Sequence, residues 1–420
     1  MKAVETSLAK IAKDNHLFRA ITHLDSQNAG ARAAAVDAAQ PLHGLTFVAK
    51  DQIDVAGLPT SFGSRLFPDQ PATRDAACIQ ALQAAGAVVI GKANMHELAV
   101  GSARNPWFGQ VVNPLSSKHG TGGTSSGSAA AVAAGFCDFA LGTDSGGSIR
   151  SVAAAVGVYG FKPTNGVLSL DGVWQVAPTL DTLGLLARDG GTLAKAFAAL
   201  GGETADRSAT LAGKVIAHPI GLYGDVDVVV EEAMNRALDA IRSGGGRVVE
   251  VKIEDSAALA EAGRTILRYE FALAYSENVA ANPARVSPEV LAFAHTANKV
   301  SCAAYDAAKS LILDHRAVWH DLLRGIDALL APVAPGLAPR LIDEHTEVNG
   351  QWQPYGPAGA EFRMWANTIG IPAVAIPVQC AGRLPAAIQL AARPHADGAL
   401  IDLSAALGRE IENQRAAKSQ

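Results

Sequence analysis

Two glycine-rich blocks, GGTSSGSAAAVAAG from Gly122 and GTDSGGSIR from Gly142, hold the residues of this chain best suited to chemistry. Eight of the 28 residues from 120 to 147 are glycine, against 41 of 420 in the whole chain, so the enrichment is local. Hydroxyls cluster at Thr124, Ser125 and Ser126, and again at Ser145 and Ser148. Glycine lets backbone approach a ligand closely and adopt angles that other residues avoid. Two such turns, each offering hydroxyls and backbone N–H groups, describe a site where an acyl carbon is attacked and its oxyanion held. An isolated Gly/Ser loop carries no such meaning. Here the second block and a lysine upstream, Lys50, give it one.

A serine hydroxyl is a poor nucleophile until a base removes its proton. A lysine serves as that base only when neutral, and burial lowers its pKa by penalising the charged form. Lys50 follows the apolar run Leu45 to Ala49 (LTFVA), which suits burial. Thr124 and Ser148 stand 24 residues apart, one in each turn. A bridging hydroxyl passes the proton where serine and lysine do not touch, and returns it to the departing amine. The N–H groups of Ser145, Gly146, Gly147 and Ser148 open a predicted helix, where donors lack internal partners.

Rival readings exist. Gly123-Thr124-Ser125-Ser126-Gly127 fits the G-x-S-x-G pattern, which would make Ser125 the nucleophile. The strand that should precede that elbow is missing, because Asn113 to Gly120 reads as a loop. Ser7 to Lys10 fits a serine–lysine pattern, but it sits on an amphipathic N-terminal helix without partner motifs. His96-Glu97 begins a zinc-protease motif, yet Val100 stands where its second histidine belongs, so no metal site is expected. Lys92 and Lys162 are alternative bases. Asp144 and Arg150 flank the second turn and read as a structural ion pair, and Asp51 and Asp181 likewise read as structural.

The two blocks, preceded by VAKDQIDVAGLPTSFGS and GKANMHEL, resemble the amidase signature family. The likeness continues through TLDTLGLLA from Thr179, DALLAP from Asp327, GIPAVAIP from Gly370 and LPAAIQL from Leu384, and so covers most of the chain. The family uses a serine, a second serine in a cis peptide, and a lysine. The resemblance implies Ser148 as nucleophile, Lys50 as base, and Thr124 at the cis-serine position. Threonine there keeps a hydroxyl while its methyl restricts χ1. Ser125 is the relay in reserve if Thr124 faces away, and Gly123 supports the turn. No cofactor is implied.

The elements that must position these residues alternate. Strands are expected at 45–49, 87–90, 136–141, 214–218, 247–253, 328–331, 373–377 and 387–391. Helices are expected at 1–24, 74–85, 126–134, 147–156, 228–242 and 396–412, with 256–325 mostly helical. The fold class is therefore α/β: a single compact α/β/α unit with a large mixed sheet, a core of about 40–200 and 326–413, and a helical insert at about 256–325. Residues 341–359 are expected to form a mobile loop.

Composition narrows the function. A net charge of −5 and 5% aromatics argue against a nucleic-acid partner. No apolar run approaches the roughly 18 residues of a spanning helix, and no signal peptide stands out, so a cytoplasmic enzyme is expected. Cys78, Cys137, Cys302 and Cys380 lack CxxC pairing and read as core residues in a reducing compartment. The expected activity is hydrolysis of a small soluble amide through a Ser148 acyl-enzyme. One alternative is the glutaminase (A-type) subunit of a tRNA-dependent amidotransferase. Another is a non-catalytic scaffold or partner subunit with the same fold. Assembly as a homodimer stays open. Segments 95–105, 170–180 and the helical insert are expected to line the pocket, with Arg104, His119, Trp174 and Gln175 as candidate substrate contacts.

Overall fold

Among the described residues, eleven strands form one mixed sheet, and helices cover both of its faces. The computed structural model describes residues 2–203, 209–254 and 256–418. The strands are Ile21–Leu24 (β1), Thr46–Lys50 (β2), Val88–Ala93 (β3), Phe139–Asp144 (β4), Tyr159–Lys162 (β5), Thr182–Ala187 (β6), Val215–Ile220 (β7), Arg247–Lys252 (β8), Ala328–Pro332 (β9), His345–Val348 (β10), Gln351–Pro354 (β11), Ala373–Val378 (β12) and Ala386–Ala391 (β13). The sheet runs β1-β3-β2-β4-β6-β5-β12-β13-β9-β7-β8, while β10 and β11 pair as a separate hairpin. β2 lies parallel between β3 and β4. β4, β6, β5, β12, β13 and β9 continue antiparallel. One sheet thus joins the N- and C-terminal parts of the predicted core.

The two-residue period of the strands sorts their side chains into two layers. Phe47, Ala49, Phe139, Leu141, Leu330 and Ile388 face helices Gly190–Ala199, Val228–Ser243 and Asp397–Lys418. Val48 and Ala140 face the opposite layer, against Ala130 and Val152 of the helices Ser126–Ala133 and Arg150–Val156. The predicted insert builds the rest of that cover. Its helices Ser256–Phe271, Pro288–Ala297 and Cys302–Leu322 pack Leu259, Ile266 and Trp319 onto Leu329 and Ala391.

Several expectations need correction. The N-terminal helix ends at Phe18 rather than 24. Arg19 takes φ +53, and the Asn15 side chain bonds both the N–H and C=O of Ile21, turning the chain into edge strand β1. The second block's helix begins at Arg150, not Gly147, because the Asp144 carboxylate holds the preceding residues in a turn. Residues 341–359 carry the hairpin β10–β11 and a short helical turn, so they are not an unstructured loop. Of the cysteines, Cys78 and Cys137 are buried, whereas Cys302 is exposed on its helix and Cys380 half-buried. Among the described residues, no helix is long and apolar enough to cross a membrane.

Candidate active site

Because β2 and β4 are parallel neighbours, with Ala49 beside Leu141, their C-terminal ends deliver Lys50 and the Thr143–Ser148 segment to one edge of the sheet. Ligands of open α/β sheets bind beyond these ends. Gly123 brings the first block against the second: a Cβ there would lie 2.4 Å from Ser151 Oγ and 3.0 Å from Val152 Cγ1. Only glycine permits that approach. Gly147 has φ +111, and a Cβ there would run into the Arg363 side chain.

Lys50 is fully buried. Its Nζ lies 2.9 Å from Thr124 Oγ1 and 2.8 Å from Thr143 Oγ1. The hydrogen-bond directions around it follow from chemistry alone. The Trp174 carbonyl can only accept, so Gln52 Nε2 donates to it at 2.6 Å, which turns Gln52 Oε1 toward Thr143. Thr143 donates its hydroxyl to that oxygen at 3.0 Å. Its oxygen is then left to accept from Lys50. One N–H of the amine is thereby committed to Thr143. The lone pair of a neutral amine and its other N–H remain for Thr124. Burial pulls the Lys50 pKa down to about 7, against the charges of Asp181 and Asp144. The amine is therefore poised between its charged and neutral forms near neutrality, as a general base needs.

Thr124 and Ser148 both line a cavity of about 470 Å³ whose walls include His96, Gly101, Gly123, Gly146, Glu344, Tyr355 and Arg363. Ser148 is half-buried in that wall. The peptide entering Thr124 is trans, and no cis peptide occurs among the described residues. The turn through Gly122, at φ +72, carries the Thr124 hydroxyl to Lys50 without one. Ser125 turns the other way, fully buried, and donates to the Thr143 carbonyl at 3.2 Å, so it neither faces the cavity nor stands in reserve. Of the expected oxyanion donors, the Gly147 N–H is taken by Asp144 Oδ1 at 2.6 Å. The expectation narrows to Ser145, Gly146 and Ser148.

The second turn is fixed by a buried network. Arg150 meets Asp144 at 3.1 Å, and also donates to the Arg363 carbonyl and Gln389 Oε1, each at 3.0 Å, and to Asn367 Oδ1 at 2.7 Å. Asn367 Nδ2 returns bonds of 2.9 Å to the Asp144 carboxylate and carbonyl. Burial alone would raise the Asp144 pKa, but the charge and hydrogen bonds of Arg150, with those of Asn367, hold it below the usual carboxylate range. Asp181 accepts from Ser145 Oγ and from the N–H groups of Val176 and Ala177. Burial outweighs those bonds and pushes its pKa up to about 6.

The rival lysines face elsewhere. Lys92 donates to the Pro59 carbonyl and Thr60 Oγ1, both at 2.9 Å, and lies 3.5 Å from Asp51. Lys162 donates to the Pro163 carbonyl at 2.7 Å and Asn165 Oδ1 at 2.8 Å. Among the described residues no cluster of histidine, cysteine or acidic side chains could hold a metal. Glu97, the second half of the HE pair, is bound by Ser64, Trp107 and the Ser287 N–H.

The expected substrate contacts lie off the cavity. His119 bonds Ser116 at 2.8 Å and lines a separate cavity of about 840 Å³ that holds neither Ser148 nor Thr124. Arg104 points out to the Ile342 carbonyl. The ring of Trp174 packs edge-on to Phe62 and Phe67, and the Gln175 carbonyl accepts from Tyr275. Segment 170–180 thus holds Gln52 in place and does not line the cavity. The insert contributes Glu289 alone, whereas residues 339–363, unexpectedly, supply much of the wall. Thr143 and Gln52 were within reach of sequence reasoning, since both sit within two residues of motif positions. Arg363 and Asn367 carried no comparable signal.

Known proteins resemble this chain throughout. A family profile described as Amidase matches residues 2–401. The A-type subunit of the glutamyl-tRNA(Gln) amidotransferase of Anaeromyxobacter sp. (strain K) is 33% identical, covering 97% of this chain and 92% of that relative. The indoleacetamide hydrolase of Pseudomonas syringae pv. syringae is 39% identical over 57% of this chain and 54% of the hydrolase. Among solved structures, a chain from a vestigial protein complex bearing on the origins of an s-triazine catabolic enzyme superimposes with TM-score 0.91 at 29% identity, covering 99% of this chain and 95% of that one. A crystal structure of an amidase gives TM-score 0.87 at 30% identity, covering 98% and 95%.

Proposed function

Since the chain belongs to the amidase family, we propose that it hydrolyses the C–N bond of a small amide through an acyl-enzyme on Ser148. Lys50, neutral, takes a proton from Thr124 as Thr124 takes one from Ser148. The Ser148 oxygen bonds to the carbonyl carbon. N–H groups among Ser145, Gly146 and Ser148 hold the oxyanion. The proton then returns from Lys50 through Thr124 to nitrogen, the C–N bond breaks, and the amine leaves. Water enters by the same relay, releasing the acid and restoring Ser148. The observation that carries this reading is the fully buried amine of Lys50, 2.9 Å from a hydroxyl that shares a cavity with Ser148. The test is ammonia release from a panel of small amides by the parent and by Ser148→Ala. Turnover is expected from the parent and none from the variant, and full activity in the variant would refute the proposal.

A second reading is the glutaminase role, favoured by the 33% identity, over nearly the whole chain, to an A-type amidotransferase relative. That role needs partner subunits. Ammonia from glutamine only when such partners are present, with no release from simple amides by the purified chain, would favour it.

A further inference from the structure

The HE pair at 96–97 divides its labour: Glu97 is consumed by the fold, but His96 is not. His96 is among the residues lining the cavity that holds Thr124 and Ser148, and the residue is 7% exposed. Its Nδ1 lies 3.1 Å from the Gly101 carbonyl. A carbonyl only accepts, so Nδ1 carries the proton and Nε2 presents a lone pair. That Nε2 is buried and has no hydrogen-bond partner among the described residues. A buried acceptor left unmatched costs about 1–3 kcal/mol. Burial drives the ring's pKa down to about 4, against its bond to Gly101, with the Lys50 charge lowering it further, so protonation offers no relief near neutrality.

The backbone around His96 is also held in unfavourable conformations. Leu98 and Ala99 sit at φ +48 and +54, consecutive left-handed residues without glycine. Such strain persists where the surroundings enforce it and gathers at functional sites. The His96 N–H donates to the Thr124 carbonyl at 3.2 Å, which seats this segment beside the relay hydroxyl. The departing nitrogen must also come to Thr124, because the relay returns the proton there.

Resting on the amidase reading above, we propose that His96 Nε2 accepts an N–H of the scissile amide and thereby turns the nitrogen lone pair toward Thr124. His96 neither takes nor gives a proton: the proton gained by nitrogen comes from Thr124, which is reprotonated by Lys50. The substrate class follows. Amides with at least one N–H on the scissile nitrogen are favoured over N,N-dialkyl amides and esters, which have none to donate.

The test uses the full chain and the acyl group it turns over fastest among acetamide, butyramide, phenylacetamide and malonamide. kcat/KM, which for both substrates reports steps through acylation, is measured on the primary amide and on the ethyl ester of that acid. His96→Phe is expected to lower the amide value roughly 10–100-fold more than the ester value. His96→Gln, which keeps an acceptor, is expected to recover part of that ratio. Equal losses on amide and ester in His96→Phe, or an unchanged amide-to-ester ratio, would overturn the proposal. A parent inactive on both substrates would instead defeat the amidase reading itself.

Discussion

Lys50 at the end of β2 and Lys162 at the end of β5 are both fully buried, and in both burial pulls the pKa down to about 7. Their neighbours separate them. Lys50 meets two hydroxyls, groups that accept and donate. Lys162 meets a carbonyl and an amide oxygen, which only accept and have no proton to pass. A depressed pKa therefore makes a lysine available as a base, and the partner decides whether it acts as one. Lys162 is a clasp that holds the chain at Pro163 and Asn165. In the mechanism proposed above, Lys50 is one end of a proton path.

The comparison breaks most visibly at the lysines themselves. Lys50→Met is expected to lower kcat/KM by about 10²–10⁴ while circular dichroism and melting stay near those of the parent. A loss under tenfold would mean that the base lies elsewhere. Thr143→Val tests how the amine is aimed. It frees the committed N–H, and a fall of about 10–10² in kcat/KM is expected, with Thr143→Ser restoring most of it. Parent-like activity in Thr143→Val would show that Thr124 alone orients the lysine. Lys162→Met should do the opposite of Lys50→Met. Activity per folded molecule is expected to stay within a few-fold, and stability to fall by about 1–3 kcal/mol as the buried Pro163 carbonyl and the half-buried Asn165 Oδ1 lose their donor. Denaturant unfolding and active-site titration would separate the two effects.

The pH profile sharpens the same contrast. As the proposed base, Lys50 would act only when neutral, so kcat/KM should rise as pH climbs through about 7 and level off above it. Asp181, with a pKa near 6, lies close enough to bear on this limb. As it gains a proton on acidification, Lys50 loses an attractive charge and holds its own proton less tightly, which makes the limb shallower than that of a lone group. Asp144 stays ionised throughout, and His96 stays neutral until about 4. A profile flat from pH 5 to 9 would remove the lysine base.

Most of the fold was legible because its signals are local and periodic. Runs such as Thr46–Lys50 and Ala373–Val378 are short, apolar and bounded by turn residues, and they became strands. Ile21–Leu24 was hidden because its sequence continues the apolar spacing of the helix before it. What ends that helix is Asn15 folding back onto Ile21. The glycine blocks pointed to Thr124 and Ser148 because close approach and hydroxyl chemistry leave a compositional trace. Lys50 stood out as a charge at the end of an apolar run. Of the cavity wall, segment 95–105 was expected and supplies His96 and Gly101, but Glu344, Tyr355 and Arg363 left no such trace: they come from a region more than 190 residues beyond Ser148, and only the assembled sheet brings them back. Arg104 and His119 had suitable chemistry on neighbouring segments, yet their side chains leave in other directions.

The most direct test of the proton path is the rate at which a fluorophosphonate labels the protein across pH 5 to 9, with the labelled peptide identified by mass spectrometry. The label is expected on Ser148, with a rate that rises through about pH 7 in the parent and is strongly reduced at every pH in Lys50→Met. Label on Ser125 or Ser145, or a rate on Ser148 indifferent to both pH and the loss of Lys50, would contradict the account.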